Sequence, residues 1–331
     1  MIKWKKLNCK RFNILFTCIG RRVSLLRSFR KAAKELKLNC QFFGTEKVEL
    51  SPAFQLCDKK FLVKSVDDVN YIKQLLKIVK QNNVKLLIPT IDLDLKVFAE
   101  NKEKFAAIGC MVLVSNPQVI DIAHDKRQTY KFLINNGFDT PKTMSPKEAI
   151  AKKNLRYPRF LKPWDGYASK GTAIANNREE LVFYSKRIRN CIVQEFVTGQ
   201  EFTCGIYIDF NGRVSCIVPR RRLETRAGEV SKAKTVKDFN IMRQTAKMVK
   251  KLGAGPGVIN VQLMLTEDRK IKFIEINPRF GGGTPLSIKA GANFPKWILQ
   301  ELCGKKPKIK LDGFKNNLTM LRYDAEVWIE P

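Results

Sequence analysis

The segment Val258-Ile259-Asn260-Val261-Gln262-Leu263, the polar turn Thr266-Glu267-Asp268-Arg269 and the segment Phe273-Ile274-Glu275-Ile276-Asn277-Pro278-Arg279-Phe280 read as one β-hairpin. A turn centred on Glu267-Asp268 sets position 266 opposite 269, and therefore 262 opposite 273 and 260 opposite 275. Strand alternation then puts Gln262, Glu275 and Asn277 on one face, with Val261, Leu263, Ile274 and Ile276 on the other. Three oxygen-bearing side chains backed by a hydrophobic layer suit a hard divalent cation. Magnesium fits, because it takes few protein oxygens and fills its other positions with water and phosphate; manganese is the alternative. A solvated sheet face is the competing reading, but Gln, Glu and Asn closed by Asn-Pro-Arg is an unusual composition for one.

The rest of the chain limits the chemistry around this hairpin. With 331 residues and 44% apolar content, it is long for one ordinary domain and can bury a substantial core, so two or three packed domains are expected. The single histidine, His124, excludes two-histidine zinc sites, H-E-x-x-H proteases and cysteine-histidine zinc fingers. Nine cysteines, odd in number, scattered and without a C-x-x-C pair, read as reduced thiols of a cytoplasmic protein. The apolar run 12–19 meets Arg21 and Arg22 with no small-residue cleavage site, so it reads as a first strand rather than a secretory leader. No segment reaches the about 20 apolar residues of a membrane span. The net charge of +31 invites a nucleic-acid reading. Its lysines are dispersed, however, and aromatic residues are not interleaved with basic ones, so solvated helix faces or attraction for anionic ligands explain it better.

From Asn13 to about Asn116 the periodicity alternates between strand and helix. Strands are expected at Asn13–Cys18, Cys40–Gly44, Val84–Ile88 and Met111–Val114. Helices are expected along Val23–Leu36, along Val69–Val79 behind a cap at Asp67 or Asp68, and around Leu95–Phe105. This alternation implies a doubly wound parallel sheet, with ligands approaching Gly20-Arg21-Arg22, Thr45-Glu46 and Pro89-Thr90-Ile91-Asp92 at the strands' carboxyl ends. No Gly-x-Gly-x-x-Gly fingerprint is present, which argues against a dinucleotide. Beyond Asn116 the pattern becomes α+β. A helix over Asp125–Asn136 ends at Gly137, a strand at Phe160–Lys162 leads into a small-residue loop, and Thr203–Ile208 and Val214–Val218 flank Asn211-Gly212, which predicts a type I′ turn.

Several motifs stand in order: His124-Asp125-Lys126, Phe160-Leu161-Lys162-Pro163, Gln194-Glu195-Phe196-Val197 with Gly199-Gln200-Glu201, Asn260-Val261-Gln262, and Glu275-Ile276-Asn277-Pro278-Arg279. This set resembles the ATP-grasp superfamily, in particular the nucleotide-binding units of the carbamoyl-phosphate synthetase large subunit and related carboxylate–amine ligases. The resemblance implies a pre-ATP-grasp domain over 1–116 and an ATP-grasp domain over 117–331, with a small lobe at about 155–198 and a metal and catalytic lobe at about 199–331. It implies that Lys126 and Lys162 face the phosphates of ATP, as phosphoryl transfer requires. The loop with Gly166, Ala168 and Ser169 would offer backbone N–H groups to phosphate oxygens. Glu195 and Val197 flank the segment that would meet adenine, and Glu201 would take the ribose hydroxyls. Gln262, Glu275 and Asn277 are the implied metal ligands, and Arg279 and Lys162 the implied catalytic groups, the arginine meeting charge that develops on the transferred group.

The implied reaction activates a small carboxylate as an acyl phosphate, which an amine or similar nucleophile attacks, with release of ADP. Gln262 stands where many members of the superfamily carry an acid, and the chain has one nucleotide unit where carbamoyl-phosphate synthetase has two, so making carbamoyl phosphate is not expected. Arg220, Arg222 and Arg226, with Gly282 in the run Gly281-Gly282-Gly283, are the candidate acceptor contacts, a solvated basic loop and a flexible turn being the alternatives. An ATP-binding regulatory protein that performs no ligation is the rival reading, with a nucleic-acid protein behind it. Self-association is left open.

Overall fold

The structure, a computed structural model, describes residues 11–166 and 170–330. The first elements in chain order are β1 (Phe12–Thr17), α1 (Val23–Glu35), β2 (Cys40–Glu46), α2 (Pro52–Gln55), β3 (Lys59–Leu62), α3 (Tyr71–Gln81), β4 (Val84–Pro89), α4 (Leu95–Ala107), β5 (Met111–Val112), α5 (Pro117–His124) and α6 (Lys126–Asn135). Their strands form a parallel sheet in the order β3-β2-β1-β4-β5. The order reverses between β1 and β4, and the crevice outside their carboxyl ends is where such sheets receive ligands. Gly20-Arg21-Arg22 and Thr90-Ile91-Asp92 leave the sheet there. Gly20 has φ +46 and donates its N–H to Glu46 Oε1, which ties the loop before α1 to the end of β2.

The expected four strands are present, and β3 is a fifth. Its Lys-Lys-Phe-Leu sequence has no buried face, so no alternation announced it. Helix α3 begins at Asn70 rather than Asp67 or Asp68, and Val69 is exposed. Asp68 instead accepts the Asn70 N–H in a turn before the helix. His124 ends α5, and Asp125 caps α6 by accepting the Arg127 N–H.

Next come β6 (Thr143–Met144), α7 (Pro146–Ala151), β7 (Arg159–Pro163), β8 (Ala173–Ala175), α8 (Arg178–Arg187) and β9 (Cys191–Glu195). These strands make an antiparallel sheet in the order β6-β9-β7-β8 over a small core of its own, centred on Ala149, Leu161, Leu181 and Val193. The last elements are β10 (Gln200–Ile208), β11 (Val214–Arg226), β12 (Glu229–Thr235), α9 (Phe239–Leu252), β13 (Gly257–Leu265), β14 (Ile271–Asn277), α10 (Thr284–Lys289), α11 (Phe294–Leu302) and β15 (Thr319–Leu321). They build a six-stranded antiparallel sheet, β14-β13-β10-β11-β12-β15. One buried cluster joins this sheet to the parallel one: Phe29 of α1 packs edge-on to Phe16 of β1 and to Phe280, ring centroids 5.3 and 5.8 Å away.

The β10–β11 connection is not the type I′ turn that Asn211-Gly212 suggests. Only Gly212 has positive φ, and the Asp209 carboxylate accepts the N–H groups of Asn211 and Arg213, which holds a longer loop closed. Seven cysteines are free thiols, but Cys303 is disulfide-bonded, so the reading of all nine as reduced fails there. No helix among the described residues is long and apolar enough to cross a membrane.

Candidate functional site

Strands β13 and β14 form the expected hairpin, with a different register. Arg269 takes φ +61 and lengthens the turn, so Leu263 faces Phe273; a bulge at Ile274 then sets Gln262 opposite Glu275 and Asn260 opposite Asn277. Each departure shifts the pairing by one residue, and together they restore the parity that alternation requires. Gln262, Glu275 and Asn277 therefore share the open face, while Val261, Leu263 and Ile276 are buried behind it. Ile274 departs from the expectation: the bulge turns it to the front, where it lines a cavity.

That cavity, about 370 Å³, lies between the four-stranded and six-stranded sheets. Phe160, Lys162 and Val197 come from one side, and Glu201, Gln262, Met264, Ile274 and Glu275 from the other. The apolar side chains form walls for a flat ring. Glu195 also lines the cavity, its N–H donated to Lys142 O at 2.8 Å and its carboxylate accepting from Lys272 Nζ at 3.1 Å, a link between the two sheets. Lys126 Nζ donates to Gly166 O at 2.5 Å and lies 3.9 Å from Glu275 Oε1. A Cβ on Gly166 would stand 3.0 Å from Cβ of Pro163, a tight contact that the proline ring would have to relax to admit. Lys162 is buried to 6% exposure, and burial pulls its pKa down to about 8, with Glu275 opposing and Lys126 adding to the drop. The candidates Ala168 and Ser169 lie outside the described residues.

A second cavity, about 420 Å³, shares Glu201, Gln262 and Glu275 with the first. Its walls include Arg22 and Asp92 from the parallel sheet, Arg220 and Arg222 from β11, and Arg279 and the Gly281–Gly283 run after the hairpin. The Arg220–Arg226 stretch is thus continuous strand, not a basic loop, and alternation sends Arg220 and Arg222 to the same side. Arg226 is excluded from the site: it is exposed at the strand end and pairs with Asp324. Arg222 binds Glu201 at 2.9 Å, and burial raises the pKa of that carboxyl against the opposing arginine. Arg279 pairs with Asp92 and donates to Asn277 Oδ1 at 3.3 Å, while its buried Nε has no partner. Gly282 faces the cavity, where a Cβ would stand 3.4 Å from Glu229 Oε2.

Residues 14–113 match the domain family described as PylC-like, N-terminal domain, and residues 187–322 match ATP-grasp in the biosynthetic pathway with Ter operon. Residues 187–322 thus carry an ATP-grasp family match, and the chain resembles that superfamily. A D-alanine–D-alanine ligase of Fusobacterium nucleatum is 34% identical over 85 residues, covering 26% of this chain and 28% of the relative. The carbamoyl phosphate synthase large chain of Methanobrevibacter smithii is 25% identical over 277 residues, covering 73% of this chain and 25% of the relative. The chain therefore spans about a quarter of the length of each of these curated relatives. Among solved structures, the biotin carboxylase domain of Hydrogenobacter thermophilus 2-oxoglutarate carboxylase, in complex with MgADP and bicarbonate, superposes with a TM-score of 0.73 at 16% identity, over 93% of this chain and 73% of that one. At that identity the likeness is one of fold.

The donor set on the hairpin suits a magnesium ion. Glu275 supplies a carboxylate and Gln262 and Asn277 supply amide oxygens, all hard donors on one face beside a cavity that Lys126 and Lys162 also line. Sequence reasoning left three contributors unassigned: Asp92, which holds Arg279; Lys272, which bridges the sheets to Glu195; and Glu229, on the rim of the second cavity. Asp92 alone had a signal, its place at the carboxyl end of a parallel strand.

Proposed function

We propose that the chain is an ATP-dependent, ADP-forming ligase that activates a small carboxylate as an acyl phosphate for attack by an amine. The observation that carries this reading is the meeting of two cavities at Glu201, Gln262 and Glu275: a cleft with apolar walls and three lysines, Lys126, Lys162 and Lys170, opens into an arginine-lined pocket. A nucleotide in the cleft brings its γ-phosphoryl group to the junction, and a carboxylate in the pocket reaches it from the other side. The MgADP held by the fold relative and the ligase chemistry of the curated relatives support the assignment. In this reading residues 1–116 serve as the pre-ATP-grasp domain and 117–331 as the ATP-grasp unit, with the lobe at about 155–198 covering the nucleotide.

A carboxylate oxygen attacks the γ-phosphorus, the bond from that phosphorus to the β,γ-bridging oxygen breaks, and ADP leaves. The amine nitrogen then attacks the acyl carbon, forming a C–N bond as inorganic phosphate departs, and the nitrogen gives up a proton to solvent. Lys126 and Lys162 bind and orient the phosphates. The segment Glu195-Phe196-Val197 presents backbone groups to adenine, and Glu201 accepts from the ribose hydroxyls once its contact with Arg222 yields. Gly166, with Ala168 and Ser169, would offer N–H groups to the phosphates. Gln262, Glu275 and Asn277 would hold magnesium, which neutralises charge on the phosphates as the γ-group transfers. Arg279, held in place by Asp92, faces charge on the transferred group and on the tetrahedral carbon. No side-chain base is required, which accords with a chain whose one histidine is partly buried and depressed in pKa by that burial.

The test is ATP-dependent phosphate release across pools of carboxylates and amines, with ADP and phosphate measured together. Stoichiometric ADP and phosphate with a dependent carboxylate supports the reading. Tight MgATP binding with no release from any pool would replace it with the binding-only alternative.

A further inference from the structure

Four arginines, Arg22, Arg220, Arg222 and Arg279, line the second cavity with four carboxylates, and two of those carboxylates are met by cations from outside the lining. Four carboxylates line it, and each already meets a cation: Asp92 meets Arg279, Glu201 meets Arg222 at 2.9 Å, Glu229 meets Arg322 at 3.1 Å, and Glu275 lies 3.9 Å from Lys126. Two guanidinium groups of the lining remain, Arg22 and Arg220, and among the described residues neither has a carboxylate within 4.0 Å. Arg220 is 2% exposed, and all its contacts are neutral: Thr203 O at 3.3 Å, Ser287 Oγ at 3.2 Å and Asn260 Oδ1 at 2.6 Å. The fold makes room for it, since a Cβ on either Gly205 or Gly283 would stand 3.4 Å from its Cζ. Burying a guanidinium among neutral acceptors is costly unless a counter-charge arrives with the ligand.

Arg22 enters from the other wall, at the crevice between β1 and β4. Burial and then Arg279 push its pKa down, with Glu229 and Asp92 opposing. Two further donors in the cavity, Arg222 Nε and Arg279 Nε, are buried without partners. With Arg322 and Lys126 counted, six cations stand against the four carboxylates, an excess of two charges around the cavity.

We infer that the pocket takes a dianionic substrate: a carboxylate for activation, received by Arg220 beside the hairpin, and a second anionic group, carboxylate or phosphate, received by Arg22 from the parallel sheet. Arg220 is assigned the reacting end because Asn260 links it to the hairpin, its Oδ1 accepting from Arg220 and its Nδ2 donating to Arg279 O. This inference rests on the ligase reading for which end reacts, but not for the charge of the ligand.

The test compares matched probes with the full chain. Linear monocarboxylates of two to six carbons are set against dicarboxylates of the same lengths, and glycerate against 3-phosphoglycerate. Each is read two ways: thermal stabilisation in the presence of MgADP, and phosphate release from MgATP with an amine pool. At least one dianion is expected to stabilise the protein where its monoanionic partner does not. Arg22→Gln should raise its half-saturating concentration about 10- to 100-fold, the range for one lost charge-assisted hydrogen-bonding group, and Arg22→Lys should recover part of the loss. The phosphorylated and dicarboxylate arms tell which second group is used. Monoanions that match dianions in wild type, or a dianion preference that survives Arg22→Gln, would overturn the inference while leaving the ligase standing. Arg22-dependent stabilisation by a dianion with no phosphate release would uphold the inference and sink the ligase reading. No stabilisation and no release by any dianion would overturn it as well.

Discussion

Replacing Lys162 with methionine is expected to stabilise the ligand-free protein while weakening its hold on MgATP. The ammonium group is nearly enclosed, and its pKa stands at about 8 instead of 10.5. At 1.36 kcal/mol per pH unit, that drop means the folded chain gives up about 3 kcal/mol to keep the group charged at neutral pH. The sign follows from the depressed pKa. Between pH 8 and 10.5 the unfolded chain binds the proton and the folded chain does not, so wild-type stability rises with pH across that window. The cost is present in full below pH 8 and gone above 10.5. Methionine keeps the unbranched stem that packs in β7 and removes the charge. Denaturant unfolding should therefore show Lys162→Met about 3 kcal/mol more stable than wild type at pH 7, and only about 1 kcal/mol more stable at pH 9.5. Titration with MgATP should show affinity lower by about 10- to 100-fold, the value of a charge-assisted contact. A less stable variant that binds MgATP as well as wild type would refute the reasoning, because Lys162 would then serve the fold and not the phosphates.

Glu275→Ala removes the one charged donor of the hairpin face from a partly exposed position, so turnover should vanish while the circular dichroism spectrum and unfolding midpoint stay near wild type; activity retained in saturating magnesium would place the metal elsewhere. Asp92→Asn leaves Arg279 without its carboxylate, and should cost about 2 kcal/mol of stability, measured by denaturant unfolding, and lower kcat more than it raises KM. MgATP affinity should decline only modestly between 50 and 200 mM salt, whereas duplex or single-stranded nucleic acid should bind loosely and without sequence preference. A steep loss of about 10³-fold over that range, with specific tight binding at physiological salt, would instead mark a nucleic-acid protein.

Local order was legible in the sequence because it depends on short-range periodicity. The alternation from Phe12 to Val112 announced the parallel sheet, and the polar positions 262, 275 and 277 announced a single open face. That face survived an incorrect register: the longer turn at Arg269 and the bulge at Ile274 each add one residue, and side-chain direction depends only on whether the total is even. Ile274 itself could not be placed, since a bulge is a backbone event that apolar alternation conceals. Edge strand β3 stayed hidden because, with no buried face, it has no pattern to show.

What only the tertiary structure decided is which charges meet. Asp92 and Arg279 are 187 positions apart, and their pairing follows from β4 ending in the same crevice that receives the segment after β14. The same crevice brings Arg22 to the pocket, while Arg226, close to Arg222 in sequence, is carried out to solvent by the continuation of β11. Residue type and spacing gave Arg220, Arg222 and Arg226 equal standing, because charge has no periodicity of its own. Burial separated them: Arg220 lost its water among neutral partners in the wall of the cavity, and Arg226 kept its water and a surface ion pair of little energetic weight.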